Sequence, residues 1–524
     1  MLNDREDSFV MDQPKRLKDL LGQLKGHFGS NERLARSLTV STKALAGWLK
    51  KSEDDLQRLH PASVDKIRSV AVEELGLDIA LLESPPVLWD VEKPYEENIT
   101  ASLDIRHLPT PLLRNHRVPF LGYTLNSPFG CSASVLTATS PRIRFLARTG
   151  CDLITYKTIR SGLYRSHPTP NLFICPSAID IDPDGPRPAS VVVEDVHHRA
   201  RAVNGLMNRF GMPSPPLDQW KVDFSHAKEV LGPGQMLILS VVGTAKRDAA
   251  EKILVRDFVA AIEHGLEAGA EVFELNTSCP NCNGLEGFLG GNPTLVSRIC
   301  KAVRECARQS KILLKIGSAS AKQLHELVMV TAAFVDGYSA INTVPVVGLR
   351  QGQDDFEPAY GRPGLEAGLS GKPIFRLGLR AIRDLAKIRE AEGLGGKVVI
   401  GIGGVSSGED VRTYLEAGAN AVQATTAFFD DALFGLTVRR TLDAELPVIA
   451  HTILDYKERA RVNWSRAIDE MSEAMDDSRV SSVALAEWNE WQRRFSETAS
   501  LGPLRVSVPT VEDFKGRILR RLHR

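Results

Sequence analysis

The sequence has no excess of charge of either sign. Its 524 residues include 65 Lys and Arg against 65 Asp and Glu, a formal net charge of zero. Overall charge therefore attracts neither nucleic acid nor an acidic membrane surface. The fractions of hydrophobic residues (43%) and charged residues (25%) are those of a globular protein, and the length is sufficient for two or three domains.

Long apolar runs are also lacking. No stretch reaches the roughly 18 consecutive apolar residues that a membrane helix needs. Residues 1–18 are rich in charge where a signal peptide would be apolar. We therefore expect a cytoplasmic protein that does not enter a membrane.

Cysteines are few, odd in number and scattered, unlike those of a disulfide framework. They are Cys131, Cys151, Cys175, Cys279, Cys282, Cys300 and Cys306. We expect reduced thiols. Cys279 and Cys282 form a single Cys-Pro-Asn-Cys pair, and because a zinc site of this kind needs a second pair of ligands, no metal is predicted.

The chain up to about Glu83 has a helical pattern, which the run Ser84-Pro85-Pro86 ends. This predicts an all-helical domain over 1–84. Within it, two predicted helices at 31–38 and 42–51, joined by Thr39-Val40-Ser41, resemble the helix-turn-helix of phage-repressor-like regulators.

The second of these helices has few side chains that could contact DNA. It offers mainly Thr42, Lys43, Lys50 and Lys51, and acidic residues follow at 53–55. We therefore favour a role in docking or oligomerisation over DNA binding. In the case of oligomerisation, a homodimer is the expected assembly. A DNA-binding regulator with a ligand-sensing barrel stays open, and salt-dependent binding to a specific DNA would identify it.

From about residue 100 to 435, short β-branched runs alternate with amphipathic helical stretches, as in βα units around a parallel sheet. Eight such units predict the α/β fold class, a (β/α)8 TIM barrel with its active site at the carboxyl ends of the strands. The predicted strands are 128–133, 152–158, 236–242, 271–276, 311–316, 339–344, 398–402 and 420–424.

Two connections of the predicted barrel are long, 159–235 and 345–376, and such connections are usually lids or binding loops. The first is long enough to hold extra strands. After the barrel, helical spacing of apolar residues over 452–497 predicts a helical C-terminal extension, placed at 445–524.

Two neighbouring loops of the barrel have the composition of a phosphate site. Gly401 to Gly408 follows the seventh predicted strand, and Ala424-Thr425-Thr426-Ala427 follows the eighth. Single glycine loops are usually only tight turns. Two adjacent loops at strands seven and eight of a barrel more often bind phosphate through exposed backbone amides.

The fourth predicted strand ends in Glu274-Leu275-Asn276-Thr277-Ser278-Cys279-Pro280-Asn281. Amide side chains supply paired donors and acceptors that can hold a planar heterocycle. A thiol can transfer a proton when its pKa is not far from the working pH. This stretch can therefore hold a planar ring beside a group able to transfer a proton.

With these residues the chain resembles the dihydroorotate dehydrogenases, and more closely the soluble class that uses Cys as its base. The resemblance covers roughly 124–430. It rests on Asn126-Ser127-Pro128-Phe129 with Ala133-Ser134, Thr155 to Thr158, Asn276 to Asn281, Lys315-Ile316, Asn342-Thr343, Gly368 to Gly371, Gly403-Gly404 and Gln423 to Ala427.

The resemblance implies FMN-dependent oxidation of a dihydropyrimidine, dihydroorotate to orotate, with Cys279 removing the proton and hydride passing to the flavin. Lys315 would face the N1 side of the flavin, where a cation stabilises the reduced anion. The implied cofactor-binding residues are Ala133, Ser134, Lys157, Thr158, Lys315, Gly371, Gly403, Gly404, Thr425 and Thr426. The implied substrate-binding residues are Lys157, Asn208, Asn276, Asn281, Asn342 and Thr343.

The sequence departs from the family in two loops. In Asn208-Arg209-Phe210-Gly211-Met212-Pro213-Ser214, Arg209 and Phe210 replace the usual Ser and Met. His167-Pro168-Thr169-Pro170-Asn171 lacks the Arg that commonly ends this stretch. A missing hydrogen-bond partner costs about 1 to 3 kcal/mol, so these positions bear on the choice of substrate.

Two other flavoenzymes are alternatives. Dihydropyrimidine dehydrogenase has a similar Leu289-Gly290-Gly291-Asn292-Pro293 stretch but carries its base Cys where Leu289 stands. A tRNA-dihydrouridine synthase should have a basic RNA-binding surface, and the equal numbers of basic and acidic residues disfavour such a surface. The electron acceptor stays open, because the sequence has neither a cysteine cluster for an iron-sulfur centre nor a nicotinamide-binding fingerprint.

Overall fold

The computed structural model describes a large part of the chain between residues 30 and 443. The described residues are 30–38, 40–50, 88–90, 93–101, 103, 117–175, 179–185, 188, 190–195, 204–244, 251–278, 289–352 and 355–443, with 21, 25, 63 and 67. The chain forms two compact units, Met1–Leu442 and Asp443–Arg524. The predicted domain boundaries at 84, 100 and 445 stay predictions, and the predicted C-terminal helices lie outside the described residues.

The helices of the described residues are mostly short and amphipathic. They are α1 (Asn31–Ser37), α2 (Thr42–Lys50), α3 (Tyr95–Thr100), α4 (Ser140–Arg148), α5 (Leu217–Glu229), α6 (Glu251–Glu267), α7 (Pro293–Cys306), α8 (Ala321–Thr331), α9 (Phe375–Ala391), α10 (Gly408–Glu416), α11 (Ala427–Asp430) and α12 (Phe434–Asp443). In this part of the chain, no helix combines the length and the apolar character that crossing a membrane requires.

The strands form three sheets. They are β1 (Val118–Phe120), β2 (Tyr123–Leu125), β3 (Phe129–Cys131), β4 (Leu153–Ile159), β5 (Leu172–Cys175), β6 (Ser190–Val192), β7 (Gly205–Asn208), β8 (Met236–Val241), β9 (Val272–Asn276), β10 (Lys311–Ile316), β11 (Gly337–Ala340), β12 (Val344–Gln351), β13 (Phe356–Pro358), β14 (Glu366–Gly371), β15 (Val398–Ile402) and β16 (Ala421–Ala424).

Eight parallel strands close into a barrel in the order β3-β4-β8-β9-β10-β11-β15-β16, and β16 pairs with β3. The predicted (β/α)8 barrel is therefore confirmed. Nearly every residue of these strands is buried, because both faces of the sheet are covered, and this explains why the runs are mainly apolar in the sequence.

The sixth barrel strand differs from the prediction of 339–344. It runs from Gly337 to Ala340, paired with β10 and β15, and the chain then leaves the barrel before Val344 begins β12 in another sheet. One β-branched run thus contains the end of one strand and the start of another. Composition alone does not show such a break.

A six-stranded sheet lies outside the barrel, in the order β13-β12-β14-β7-β5, with β6 paired to β12. The long connection 159–235 supplies β5, β6 and β7, which confirms the expectation of extra strands there. The second connection, 345–376, supplies β13, β14 and most of β12, which was not predicted.

The hairpin of β1 and β2 packs at the amino end of the barrel. Its turn residues Leu121 and Gly122 have φ of 54° and 87°, the left-handed conformation that a two-residue hairpin turn needs. Phe120 and Leu125 pack against barrel residues such as Leu313. This cluster closes the end of the barrel opposite the predicted site.

The buried side chains of Asp152 and Arg439 form an ion pair close to this end. Asp152 immediately precedes β4, and it also accepts hydrogen bonds from Ser127 Oγ and Gln235 Nε2. Arg439 lies in α12. The pair therefore ties the last described helix to the barrel.

In the N-terminal segment, α1 and α2 lie within a residue of the two predicted helices. Ser41 Oγ accepts a hydrogen bond from the Ala44 amide, which stabilises the start of α2. The role of this pair, as a docking module or a DNA reader, stays a prediction.

Candidate active site

One cavity at the carboxyl ends of the barrel strands gathers the predicted site. About 1040 Å³ of space within its bounds is free of protein atoms, part of it open solvent. Every predicted site residue that the structure describes lines it: Ala133, Ser134, Lys157, Thr158, Asn208, Asn276, Lys315, Asn342, Thr343, Gly371, Gly403, Gly404, Thr425 and Thr426. Cys279 and Asn281 lie outside the described residues.

At one end of the cavity the backbone forms a glycine cradle. Gly403 and Gly404, after β15, have φ of 126° and 69°, values that favour glycine. A Cβ at Gly404 would lie 2.7 Å from the backbone of Phe375, so the close approach of α9 also requires glycine there. The cradle can present its amides to an anion.

Hydroxyl groups surround this cradle. Ser132 Oγ lies 2.6 Å from Thr425 Oγ1, and Thr426 Oγ1 donates to Ser370 Oγ at 3.0 Å. Hydroxyls and glycine amides together are the donors that hold phosphate. The donor set of this end therefore fits the phosphate of a mononucleotide such as FMN.

A cluster of amide side chains lies at the ends of β9 and β11. Asn342 Nδ2 donates to Asn276 Oδ1 (3.2 Å) and to Ser278 Oγ (3.3 Å), while Asn276 Nδ2 donates to Thr158 Oγ1 (3.1 Å). Ser278 Oγ in turn donates to the carbonyl of Lys315 (3.2 Å). The amides are thus held by one another, in orientations suited to binding a planar ring.

Two buried lysines line the same cavity. Lys157, on β4, is 7% exposed, and Lys315, on β10, is 4% exposed. The Lys315 ammonium lies 3.7 Å from the carboxylate of Glu274 in the barrel interior. Two ammonium groups in a largely enclosed cavity favour an anionic ligand.

The loop after β7 forms another wall of the cavity. Asn208 Nδ2 donates to the carbonyl of Gly368 (3.1 Å), and Phe210 and Met212 line the cavity. Met212 has a left-handed backbone with φ of 54°. Arg160 holds this conformation by donating to the carbonyls of Met212 (3.1 Å) and Gly211 (3.4 Å).

The two loops whose sequences depart from the family pattern, 167–171 and 208–214, contact each other in this wall. Asn171 Nδ2 donates to the carbonyls of His167, Pro168 and Arg209, so it supports the loop and is absent from the cavity lining. Arg209 Nη1 lies 2.8 Å from His167 Nδ1. Burial and the Arg209 charge lower the pKa of His167, which keeps the imidazole neutral near pH 7 and able to accept this hydrogen bond.

The Cys131 thiol lies near the cavity but is unsuited to proton transfer. Cys131, at the end of β3, is wholly buried. Burial raises its pKa to about 12, against the smaller lowering effect of hydrogen bonds with Thr425 and Ser134. A base needs a pKa near the working pH, so Cys131 is not a candidate for that role.

The cavity also has lining residues that the sequence prediction did not assign to the site. Ser132, Ser370 and Gln423 all lie in or beside the quoted motifs and supply polar groups. Phe210 and Met212 belong to the departing loop. Except for Met212, which lies four positions after Asn208, these residues stand within one or two positions of an assigned residue, and that spacing is the signal that could have identified them.

The chain is similar to known proteins over the barrel region. The family model described as Dihydroorotate dehydrogenase matches residues 197–446. Dihydroorotate dehydrogenase from Dictyostelium discoideum is 28% identical over 361 residues, which cover 66% of this chain and 94% of that protein. The catalytic subunit of dihydroorotate dehydrogenase B (NAD(+)) from Pyrococcus abyssi is 31% identical over 242 residues, 45% of this chain and 70% of that protein.

A solved structure supports the fold. The crystal structure of a ligand-free DHODH from Eimeria tenella matches with a TM-score of 0.50 at 18% identity, covering 66% of this chain and 91% of that chain. At this identity the likeness concerns the fold alone. Taken with the sequence relatives, the observations show that the chain belongs to the dihydroorotate dehydrogenase family.

Proposed function

We propose that this protein oxidises dihydroorotate to orotate, with FMN as its cofactor. The single observation that carries the proposal is the shared cavity. Residues at the carboxyl ends of seven of the eight barrel strands and from the outer sheet, assigned from motifs far apart in the sequence, line one space. Its donor set suits phosphate at one end, and amides and lysines lie beside it. Members of the family are flavin-dependent oxidoreductases that act on CH-CH bonds.

The residues fit FMN by their chemistry. Gly403, Gly404, Thr425 and Thr426 would hold the phosphate through amides and hydroxyls. Lys315 would place its charge next to the ring system and stabilise the negative charge that appears on reduction. When bound, the flavin supplies the acceptor for the two electrons that leave the substrate as hydride.

The substrate is an anion with a planar ring, and the remaining residues fit these two properties. Lys157 would attract the carboxylate, and Asn208, Asn276 and Asn342 would bind the ring amides. Thr343, next to Asn342, adds a hydroxyl at the same edge. Asn281 is the remaining residue that we propose to bind the substrate.

Cys279 is our proposed base. It follows Ser278, which is 2% exposed and hydrogen-bonded to both Asn342 and the Lys315 carbonyl at the edge of the cavity. As the thiolate, Cys279 would take a proton from one ring carbon while hydride leaves the neighbouring carbon. Both C–H bonds break, and one C=C bond forms.

The experiment that tests this function is purification followed by an absorbance spectrum and anaerobic titration with dihydroorotate and, in parallel, dihydrouracil. We expect a yellow protein whose flavin absorbance is bleached by dihydroorotate only. Bleaching by dihydrouracil alone would assign the alternative pyrimidine substrate. A colourless protein that cannot be reconstituted with FMN would refute the flavoenzyme assignment.

A further inference from the structure

Glu274 is a buried ionisable group that the proposed mechanism does not use. It lies in β9 with its side chain 0% exposed, inside the barrel. It is absent from the cavity lining, whereas Lys315 on the neighbouring strand lines the cavity. A carboxylate in such a place is costly unless charge and hydrogen bonds compensate it, so its surroundings should show what it does.

Three strands supply partners for this carboxylate: β8 and β10, which pair with β9, and β11, the next strand beyond β10. Ser240 Oγ on β8 donates to Oε1 at 3.0 Å, and Ser339 Oγ on β11 donates to Oε2 at 2.7 Å. On β10, the Lys315 ammonium lies 3.7 Å from Oε1. Each carboxylate oxygen of Glu274 has a hydroxyl donor, and Lys315 is 4% exposed. The Glu274–Lys315 pair is therefore an ordered, buried part of the barrel interior.

The carboxylate also ends a chain of hydrogen bonds that begins at the amide cluster. Asn342 donates to Asn276, Asn276 Nδ2 to Thr158 Oγ1, and Thr158 Oγ1 lies 3.0 Å from Ser240 Oγ. An ionised carboxylate only accepts hydrogen bonds. Since Ser240 donates to Glu274, its oxygen accepts from Thr158, and the direction of the whole chain is set.

We propose that Glu274 is a positioning residue that holds the Lys315 ammonium and reduces the positive potential that the cavity's flavin experiences. The proposal rests on the proposed function only in assigning a flavin to this cavity. A cation next to a flavin favours the reduced, anionic form. A carboxylate behind that cation offsets part of its charge, so Glu274 keeps the reduction potential of the flavin lower than Lys315 alone would set it.

The test is the midpoint potential of the FMN-loaded protein, measured by dithionite titration with a reference dye. We expect Glu274→Gln, which keeps the shape and removes the charge, to shift the equilibrium tenfold or more toward reduced flavin. For a two-electron couple this is a rise of about 30 mV. Glu274→Asp keeps the charge but moves it away from Lys315, so it should raise the potential by a smaller amount and tests the proposal even if the Gln variant does not fold.

Two further variants separate charge from packing. Ser339→Ala is the matched control, because it removes a hydrogen bond to the carboxylate and leaves both charges; we expect less than a threefold shift. In a Lys315→Met background, Glu274→Gln should also change the equilibrium less than threefold, because the ammonium that the carboxylate holds and offsets is gone. The paired substitution keeps the barrel interior neutral, which favours folding of the double variant.

An unchanged potential in both Glu274 variants, or an equal shift with and without Lys315, would overturn the proposal. The titration does not use dihydroorotate. A wild-type protein that holds FMN but is not reduced by dihydroorotate would therefore refute the proposed function while the Glu274 test still gives its answer. A wild-type protein that binds no FMN would overturn both.

Discussion

The hydroxyl oxygens of Ser132 and Thr425 lie 2.6 Å apart, although 293 positions separate the two residues in the chain. Ser132 follows the first barrel strand and Thr425 follows the last, so the contact exists only because β16 pairs with β3. Closure of the barrel therefore builds the end of the cavity at which we propose that phosphate binds. The predictions below test the parts of the site and the contacts that hold the barrel.

Replacing the proposed base should slow chemistry and leave cofactor binding intact. We expect Cys279→Ser to reduce the rate of flavin reduction by dihydroorotate about 10²-fold or more, because general-base catalysis contributes roughly 10²–10⁴. Stopped-flow absorbance under anaerobic conditions measures the rate. Cys306→Ser, at a partly exposed thiol on α7, is the control and should behave as wild type. Unchanged kinetics of Cys279→Ser would refute its role.

Adding one methyl group to the glycine cradle should weaken FMN binding. Gly404 has φ of 69°, and a Cβ there would lie 2.7 Å from Phe375 backbone atoms. We expect Gly404→Ala to raise the FMN dissociation constant at least tenfold, about 1.4 kcal/mol, by fluorescence titration. Gly395→Ala is the control, because a Cβ at that glycine meets no atom within 4 Å. Equal affinities in the two variants would contradict the cradle.

Removing one amide from the substrate side should affect the substrate more than the cofactor. Asn342→Ala removes the proposed contact with the substrate ring as well as the hydrogen bonds to Asn276 and Ser278. At about 1 kcal/mol for each net hydrogen bond, KM for dihydroorotate should rise roughly five- to tenfold, while FMN affinity stays within twofold. Asn126→Ala is the control: its Nδ2 donates to the Pro233 carbonyl outside the cavity. An unchanged KM for Asn342→Ala would remove it from the substrate site.

Breaking the buried ion pair of Asp152 should destabilise the barrel. Arg439→Met leaves a buried carboxylate without its cation, which costs about 3–5 kcal/mol. Urea unfolding followed by circular dichroism measures the loss. Arg380→Met removes a cation whose pairs with Asp184 and Asp384 are partly exposed, and such pairs contribute about 1 kcal/mol or less. Similar losses in the two variants would show that α12 does not depend on this pair.

The barrel was predictable because its signal is local. Each barrel strand is a mainly apolar run between helical stretches. Six of the eight predicted runs match the observed strands almost completely, and the first, 128–133, contains the shorter β3 (Phe129–Cys131). The sixth, 339–344, was wrong because Ala340 ends a barrel strand and Val344 begins an antiparallel one, and the β-branched residues between and after them hide the break. The outer sheet was mostly missed, since its short strands pair across long sequence distances and its register depends on tertiary contacts.

The residues of the candidate site could be predicted from the sequence where they belong to recognisable motifs. Residues such as Asn276, Lys315 and Gly403 stand at strand ends, where a barrel brings side chains together. Glu274 could not be assigned a role in this way. The role of a carboxylate within a strand can be inferred only when its spatial neighbours, here Ser240 and Ser339, are known. Arg160 was missed for a similar reason: its partners are backbone carbonyls 51 and 52 positions away.

The outer sheet joins two insertions into one structural unit. β14 pairs with β7 and β12, and it delivers Ser370 and Gly371 to the cavity. A shift of one residue in either insertion would turn every side chain of the shifted strand to the opposite face. An insertion or deletion in one connection is thus tolerable only at the loops between these strands. A chimera that takes this sheet from a relative must therefore take both connections, 159–235 and 345–376, from that relative.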